Sequence, residues 1–231
     1  MLKSLLTLTR IAVALTVSGL GACDFVETEH FLSEPSDSAI DSRILGTWIA
    51  TNATADQASA DVVERALIVT VDAIVNAAGD NLLDIALIGV SRNKGAQPAF
   101  FWMLTQGHTT AIGDRTFLNL GPITSFELDP NANLADAMGS NDAEYARQIA
   151  EYRIDDADRL HIGLMEADFV ASAVRDNAIT GEIEEEKYST HVKLTESPDA
   201  LIKFISEAPA EALFKSVGSY FIRGTKAPES D

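Results

Sequence analysis

The sequence is almost free of cysteine. Cys23 is the only one in 231 residues, so no disulfide can form within one chain. In an oxidising compartment a free thiol is a liability, whereas a thiol bound in a thioether is inert. The folded part of the chain must therefore rely on a packed core, and the residues around Cys23 decide what becomes of its thiol.

The apolar segment near the start is too short to cross a membrane. Residues 11–22 carry no charge and number twelve, whereas a transmembrane helix needs about 20 predominantly apolar residues. Lys3 and Arg10 precede this segment, and small residues end it. A basic start, an apolar middle and a small-residue end predict a secretory signal peptide over residues 1–22.

The run Leu20-Gly21-Ala22-Cys23 resembles the lipobox of bacterial lipoproteins. This resemblance implies cleavage between Ala22 and Cys23, a diacylglyceryl group on the thiol, and acylation of the new amino terminus by a fatty acid such as palmitate. Three buried acyl chains contribute about 0.8 kcal/mol per CH₂, so such an anchor would hold the protein firmly to a membrane. An ordinary secretory signal peptide followed by an incidental cysteine is the alternative.

Asp24 bears on which membrane would hold the anchor. In lipoproteins of enteric bacteria, which this chain resembles here, an aspartate directly after the lipidated cysteine retains the protein in the inner membrane. Asp24 occupies that place. The resemblance favours the periplasmic face of the inner membrane, with the outer membrane as the alternative.

Basic residues are scarce. The chain has 17 Lys and Arg against 35 Asp and Glu, a net charge of −18, and removal of Lys3 and Arg10 with the signal segment takes it to about −20. We expect no nucleic-acid partner, because such an acidic surface repels nucleic acid and anionic lipid headgroups. Solubility is the simplest interpretation of the charge, and a complementary basic partner is the alternative.

Motifs of catalysis are missing. The sequence has no Gly-x-Ser-x-Gly elbow, no glycine-rich phosphate loop and no His-Glu-x-x-His zinc motif. The four histidines show none of the spacings of a metal site; they are His30, His108, His161 and His191. We therefore expect no catalytic residue, no cofactor and no metal.

Two sets of polar residues are weaker candidates for a functional site. His108 with Asp114 and Arg115 could form part of an acid/base site, but no nucleophile accompanies them, which favours a solvent-exposed loop histidine. The oxygen-bearing residues of the second group repeat the first spacings of an EF-hand; they are Asp129, Asn131 and Asn133. The glycine and glutamate that an EF-hand requires further on are absent, so a weak calcium site there stays an open alternative to a surface loop.

Composition divides the rest of the chain into three parts. Residues 23–43 are rich in Glu, Asp and Ser without a sustained apolar period, which predicts a flexible acidic tether spanning about 25 Å behind the lipid anchor. Residues 44–224 are long enough for a single domain with a substantial core. Residues 225–231 remain as a short C-terminal tail.

Apolar residues in 44–224 mostly recur at a period of two. The runs 66–75 and 82–90 flank a Gly-Asp-Asn turn, and alternating runs flank the acidic turn 155–158; both patterns predict β-hairpins. Helical spacing predicts two helices, one over 166–175 and one that begins at the N-cap Ser197. The sequence thus predicts a mainly β (α+β) fold, an antiparallel sheet or a barrel with two covering helices.

Gly46-x-Trp48 opens the first predicted strand of the domain and resembles the start of lipocalin and other calycin barrels. In that family the tryptophan closes the floor of the barrel, and a helix and a short strand follow late in the chain, which here would bring Arg223 beneath Trp48. The Thr-Asp-Tyr turn of the family is missing, and the helix at 166–175 falls where a lipocalin continues its strands. A closed barrel and another antiparallel sheet covered by helices both stay open.

The segment Phe100-Phe101-Trp102-Met103 concentrates large apolar side chains in one predicted strand. We expect it to line a cavity or cleft that binds an amphiphilic small molecule in the cell envelope. A noncatalytic module that docks another envelope protein on an exposed sheet face is the alternative. An enzyme that the motifs do not reveal is the third.

Overall fold

A computed structural model describes residues 24–50, 62–93, 99–122, 124–128, 147–186, 189–216 and 220–224, and the structural statements below concern these residues. In 62–66, 90–93, 99–102, 124–128 and at Glu186 the description covers the backbone alone.

Strands dominate the described chain, which confirms the predicted mainly β class. In chain order the strands are β1 (Phe25–Thr28), β2 (Gly46–Ala50), β3 (Val62–Val75), β4 (Asn81–Asn93), β5 (Ala99–Ile112), β6 (Arg115–Leu120), β7 (Thr124–Leu128), β8 (Gln148–Ile154), β9 (Arg159–Met165), β10 (Gly181–Glu186), β11 (Ser189–Leu194), β12 (Phe214–Ser216) and β13 (Phe221–Arg223). The described helices are α1 (Ala167–Arg175), α2 (Pro198–Glu207) and α3 (Ala210–Leu213).

Eight of the strands form a closed antiparallel barrel. Neighbours follow the order β2, β3, β4, β5, β6, β8, β9 and β13, and β13 pairs in turn with β2. Two short additions extend it, because β7 pairs with β5 beyond β6 and β12 pairs with β9 beyond β13. Both predicted hairpins are confirmed as β3–β4 and β8–β9. The chain therefore adopts the barrel and not an open sheet.

Trp48 and Arg223 meet at one end of the barrel, the end we call the floor. Trp48 is fully buried, and the Arg223 guanidinium lies 4.1 Å from the centre of its ring. Arg223 donates hydrogen bonds of 2.8 Å to the carbonyls of Arg43 and Leu45 and pairs with Asp158. The meeting that the resemblance implied is thus present, and it ties β13 to the chain entering β2.

A second layer covers one side of the barrel. β1, β11 and β10 form a three-stranded sheet in which β1 runs parallel to β11. This sheet and the helices pack on the outward side chains of β6 and β8, including Phe117 and Ile149, in an outer core separate from the barrel interior. The opposite side of the barrel, formed by β13, β2, β3 and β4, has no such cover among the described residues.

The prediction of a flexible tether over 23–43 is wrong for the described residues 24–43. Residues 25–28 form β1, Val26 and Leu32 are buried in the outer core, and Ile44 is buried in the barrel. The segment 31–33 lies along the outside of β5 and β6, where Asn119 accepts a hydrogen bond from the Leu32 amide. Charged and polar residues face solvent between these anchoring positions, which is why composition alone resembled a linker.

The two predicted helices are confirmed as α1 and α2, each with the expected start. The Glu166 carboxylate accepts a hydrogen bond from the Phe169 amide, and the Ser197 hydroxyl accepts one from the Ala200 amide. A short helix follows α2: α3 ends at Leu213, and Phe214 then begins β12 because it pairs with Met165.

Candidate functional site

The interior of the barrel holds a small apolar cavity. Its volume is about 60 Å³, and its walls come from β3 to β6, β8, β9 and β13. Among the described lining residues Thr105 alone carries a side-chain oxygen, and that hydroxyl donates to the Gly121 carbonyl at 3.1 Å. The walls therefore offer aliphatic contact and no charged or free polar group, a surface suited to a hydrocarbon chain.

The chain before β2 seals the cavity at the floor. Ile44 lines the cavity from below, and its carbonyl accepts a hydrogen bond of 2.7 Å from the Trp48 indole. Ser38 and Ala39 bind the Thr109 hydroxyl on β5. We call residues 38–44 the plug of the barrel; all of them except Ile44 belong to the segment that composition assigned to a tether.

A cluster of polar side chains connects this plug to β8. The Tyr152 hydroxyl donates to the Asp41 carboxylate at 3.4 Å, and Arg43 pairs with the same carboxylate at 2.9 Å. The hydrogen bond from Arg43 lowers the pKa of Asp41, and burial raises the pKa of Tyr152. With ionised Asp41 and protonated Tyr152 at neutral pH, this group fastens the plug and presents no reactive pair.

The predicted ligand strand is only partly described. Met103 is buried and lines the cavity. For Phe100, Phe101 and Trp102 the structure gives the backbone, which pairs with β4 on one side and β7 on the other. An apolar cavity therefore lies beside the predicted segment, at its last residue.

The uncovered side of the barrel carries an isoleucine row. Ile222, Ile49, Ile68 and Ile88 are successive cross-strand partners on β13, β2, β3 and β4. Ile222, Ile49 and Ile88 keep 43%, 39% and 46% of their surface exposed. The sequence alone does not reveal this row, because its members lie far apart in the chain and only the strand register aligns them.

His108 is not the exposed loop histidine that the sequence favoured. It lies within β5 on the outer wall, is buried, and its Nε2 is 2.8 Å from the Ser33 carbonyl. Burial lowers the pKa of His108, so the neutral ring donates Nε2–H to that carbonyl. Asp114 lies in the exposed β5–β6 turn, and Arg115 pairs with Glu151. The structure does not bring the three together.

Two other histidines lie beside carboxylates at half-buried positions. His161 and Arg159 both contact the Asp155 carboxylate, and the hydrogen bond from His161 lowers the pKa of Asp155. His191 stacks on Phe25 with ring centres 4.0 Å apart and lies 3.3 Å from the Glu27 carboxylate, which raises the pKa of His191. Both arrangements join neighbouring chain segments and do not line the cavity.

A second concavity lies outside the barrel between α1 and α2. It has a volume of about 520 Å³, and its walls include Phe169, Phe204 and Ile179. Asp176, Glu196 and Glu207 outnumber Lys203 along it. This groove is open and belongs to the outer layer.

The described residues contain no cluster of three or more His, Cys, Asp and Glu side chains placed to hold a metal ion. The calcium alternative at Asp129, Asn131 and Asn133 lies outside the described residues, as do Ala22 and Cys23 of the predicted cleavage and lipidation site. Within the described part of the chain, no helix is both long and apolar enough to span a membrane. Comparison with protein-family models, curated proteins and solved structures finds no match to this chain.

Proposed function

We propose that this protein is a bacterial lipoprotein of the cell envelope that binds the apolar tail of an amphiphile inside its barrel, without catalysis. The observation that carries the proposal is the apolar cavity beside Met103, which Ile44 lines at the floor, where its carbonyl binds the buried Trp48 indole. Its aliphatic walls match a hydrocarbon, and a ligand's polar head would stay outside the cavity.

Cavity size limits the ligand. Pockets for drug-sized molecules measure about 300–1,000 Å³, and this cavity measures about 60 Å³. A bulky sterol or aromatic ring does not fit without repacking the barrel, because interiors pack densely. An unbranched acyl chain is the class that enters with the least displacement.

Binding can be tested by substituting two adjacent residues whose side chains face opposite sides of the barrel wall. Leu87 lines the cavity, and Ile88 belongs to the isoleucine row on the outer surface. Leu87→Trp should fill the cavity and weaken binding of the fluorescent fatty acid cis-parinaric acid at least about tenfold, the effect of roughly 1.4 kcal/mol. Ile88→Trp should leave binding unchanged. Thermal melting of each variant checks that both fold, and equal binding by both would contradict a site inside the barrel.

The lipid anchor has its own test. Cys23→Ser should abolish incorporation of labelled palmitate and leave an unprocessed precursor or a soluble periplasmic form, because only the thiol can carry the diacylglyceryl group. A Ser variant that still carries label and fractionates with membranes would contradict the lipoprotein assignment. Fractionation of the parent between inner and outer membranes decides the location that Asp24 favours.

A docking module is the second candidate, and the isoleucine row favours it. On the same outer face Asp72 and Asp84 are exposed cross-strand partners, and neither forms an ion pair with another described residue. Like charges directly opposite each other destabilise a sheet, so a partner with an apolar ridge and flanking basic residues would complement this surface. Photo-crosslinking from position 88 in cells should then give one adduct that Ile49→Asp removes, and a control at exposed Ala78 should give none.

A further inference from the structure

The fold begins immediately after the predicted lipid attachment site. Asp24 directly follows Cys23, and its carboxylate accepts a hydrogen bond of 2.6 Å from the Thr190 amide at the start of β11. The next residue, Phe25, is already paired with His191. No length of free chain therefore separates the predicted anchor from the folded domain.

Strand directions define which surface lies next to Cys23. Because β1 and β11 are parallel, the first residues of both strands lie at one end of the three-stranded sheet. β10 runs antiparallel to β11, so its last residues join them, with Glu185 opposite Thr190. We call this end the anchor face; its described residues include Asp24, Phe25, Glu185, Ser189 and Thr190.

We propose that the anchor face rests against the headgroup layer of the membrane, an inference that depends on the proposed lipid anchor. Consecutive Cα atoms are about 3.8 Å apart, and the headgroup layer on each side of a bilayer is about 5–8 Å thick. A glyceryl-linked Cys23 therefore holds the start of β1 within or directly above that layer. A tether of twenty residues, by contrast, would have let the domain stand off by about 25 Å.

Surface charge does not produce this contact. Glu184 and Glu185 are exposed near the anchor face, and Glu185 pairs with Arg175. His191 contacts Glu184 and Glu27 from the neighbouring strands and neutralises part of this charge only when protonated. Anionic headgroups repel such a surface. The covalent anchor and the absence of slack are therefore what hold the anchor face in place.

The strand order shows which wall of the barrel lies away from the second layer. β2 and β3 lie across the barrel from β6 and β8, the strands on which the second layer packs. The β3–β4 turn, which contains exposed Ala78, therefore extends from a wall of the barrel that the described second layer does not cover. Ser189 on the anchor face and Ala78 in the β3–β4 turn are therefore the two positions compared below.

The test uses the full lipidated chain in phosphatidylethanolamine and phosphatidylglycerol vesicles. Because the chain has one cysteine and lipidation consumes it, Ser189→Cys or Ala78→Cys supplies a single free thiol for a bimane fluorophore. Lipids with a nitroxide on the headgroup should quench the label at position 189 several-fold more strongly than the label at position 78. Equal quenching at the two positions would overturn the proposed orientation.

A linker variant tests whether the short connection is the cause. Ten Gly and Ser residues inserted between Cys23 and Asp24 span about 18 Å on average, so quenching at position 189 should fall to the level at position 78. Quenching that the linker leaves unchanged would overturn the inference. Palmitate labelling of the parent distinguishes failure of the two proposals. A parent that takes up no label would contradict the proposed lipid anchor. A labelled parent with equal quenching at the two positions would contradict only the proposed orientation.

Discussion

Trp48 and Arg223 hold the floor of the barrel through contacts that few other residue pairs could make. The indole fills the floor and donates to the Ile44 carbonyl, and the planar guanidinium covers the ring while it binds two carbonyls. Lysine lacks this flat multiple-donor geometry. Gly46 adopts a φ of +116°, and a Cβ there would lie 3.3 Å from the Arg223 guanidinium, so a side chain at this position would be strained and crowded.

Trp48→Ala should lower the free energy of unfolding by about 3–5 kcal/mol, because it leaves a cavity and removes the surface on which Arg223 stacks. Ile49→Ala, at the adjacent and partly exposed position, is the matched control and should cost less than about 1 kcal/mol. Urea denaturation of the Cys23→Ser chain without residues 1–22 measures both. Similar losses in the two variants would show that Trp48 does not support the floor.

His108 predicts a pH dependence with a definite sign. Its burial lowers the folded-state pKa below the unfolded value of about 6.5. The unfolded chain then binds the proton more readily, so the contribution of His108 is present above the unfolded pKa and is lost as the pH falls through the folded pKa. His108→Gln keeps an N–H donor for the Ser33 carbonyl but does not titrate.

We therefore expect the parent to lose more stability between pH 7.5 and about pH 5.5 than His108→Gln does. Guanidinium unfolding at several pH values measures the difference, and the two proteins share every other titratable group. Parallel pH profiles would mean that His108 is hydrated in the folded protein and is free to take up a proton.

At the scale of elements, residues 24–44 form the least expected part of the fold. They contact the outer core, the outside of β6 and the floor of the barrel in turn. If this segment contributes to folding, a substitution at one of its buried residues must reduce the stability of the whole domain. If it were a tether, the same substitution would have no effect.

Leu32→Ala should reduce the free energy of unfolding by about 2–5 kcal/mol, because Leu32 is 98% buried in the outer core. Ser36→Ala, at an exposed position of the same segment, should change it by less than about 0.5 kcal/mol. Chemical denaturation compares the two variants with the parent. An unchanged midpoint for Leu32→Ala would restore the interpretation of a flexible tether.

Local pattern explains which elements the sequence could predict. The β3–β4 and β8–β9 hairpins join neighbouring runs through short polar turns, so alternation and turn residues specify them directly. β1 differs because its four residues pair with β11, about 166 residues further along the chain, where Asp24 binds Thr190. In so short a strand only two alternate side chains, those of Val26 and Thr28, are buried, which is too few to form a recognisable sequence pattern.

The candidate site was predictable in character but not in detail. Dense apolar residues at 100–103 indicated a cavity-lining strand, and Met103 does line the cavity. Ile44 and the plug were missed because nothing local distinguishes a chain that seals a barrel from one that leads into it. The isoleucine row was missed for a related reason, since strand register and not sequence proximity aligns Ile49 with Ile222.

At the scale of the whole molecule, the barrel separates two apolar regions. The outer core binds the second layer to the wall of β6 and β8, and the inner core keeps a small cavity above a sealed floor. A filled interior would serve stability alone, whereas space left among aliphatic side chains lowers stability. The proposed use of that space is to receive an acyl tail, with the domain held beside the membrane by its anchor.

The most direct test of this account is a methyl NMR titration of the Cys23→Ser chain without residues 1–22 with a medium-length fatty acid. Met103, Leu87 and Leu118 line the cavity, and their methyl resonances should shift in a saturable way. The methyl resonances of Ile88 and Ile49 on the outer surface should stay in place. Shifts confined to the isoleucine row, or none at a saturating concentration, would contradict binding inside the barrel.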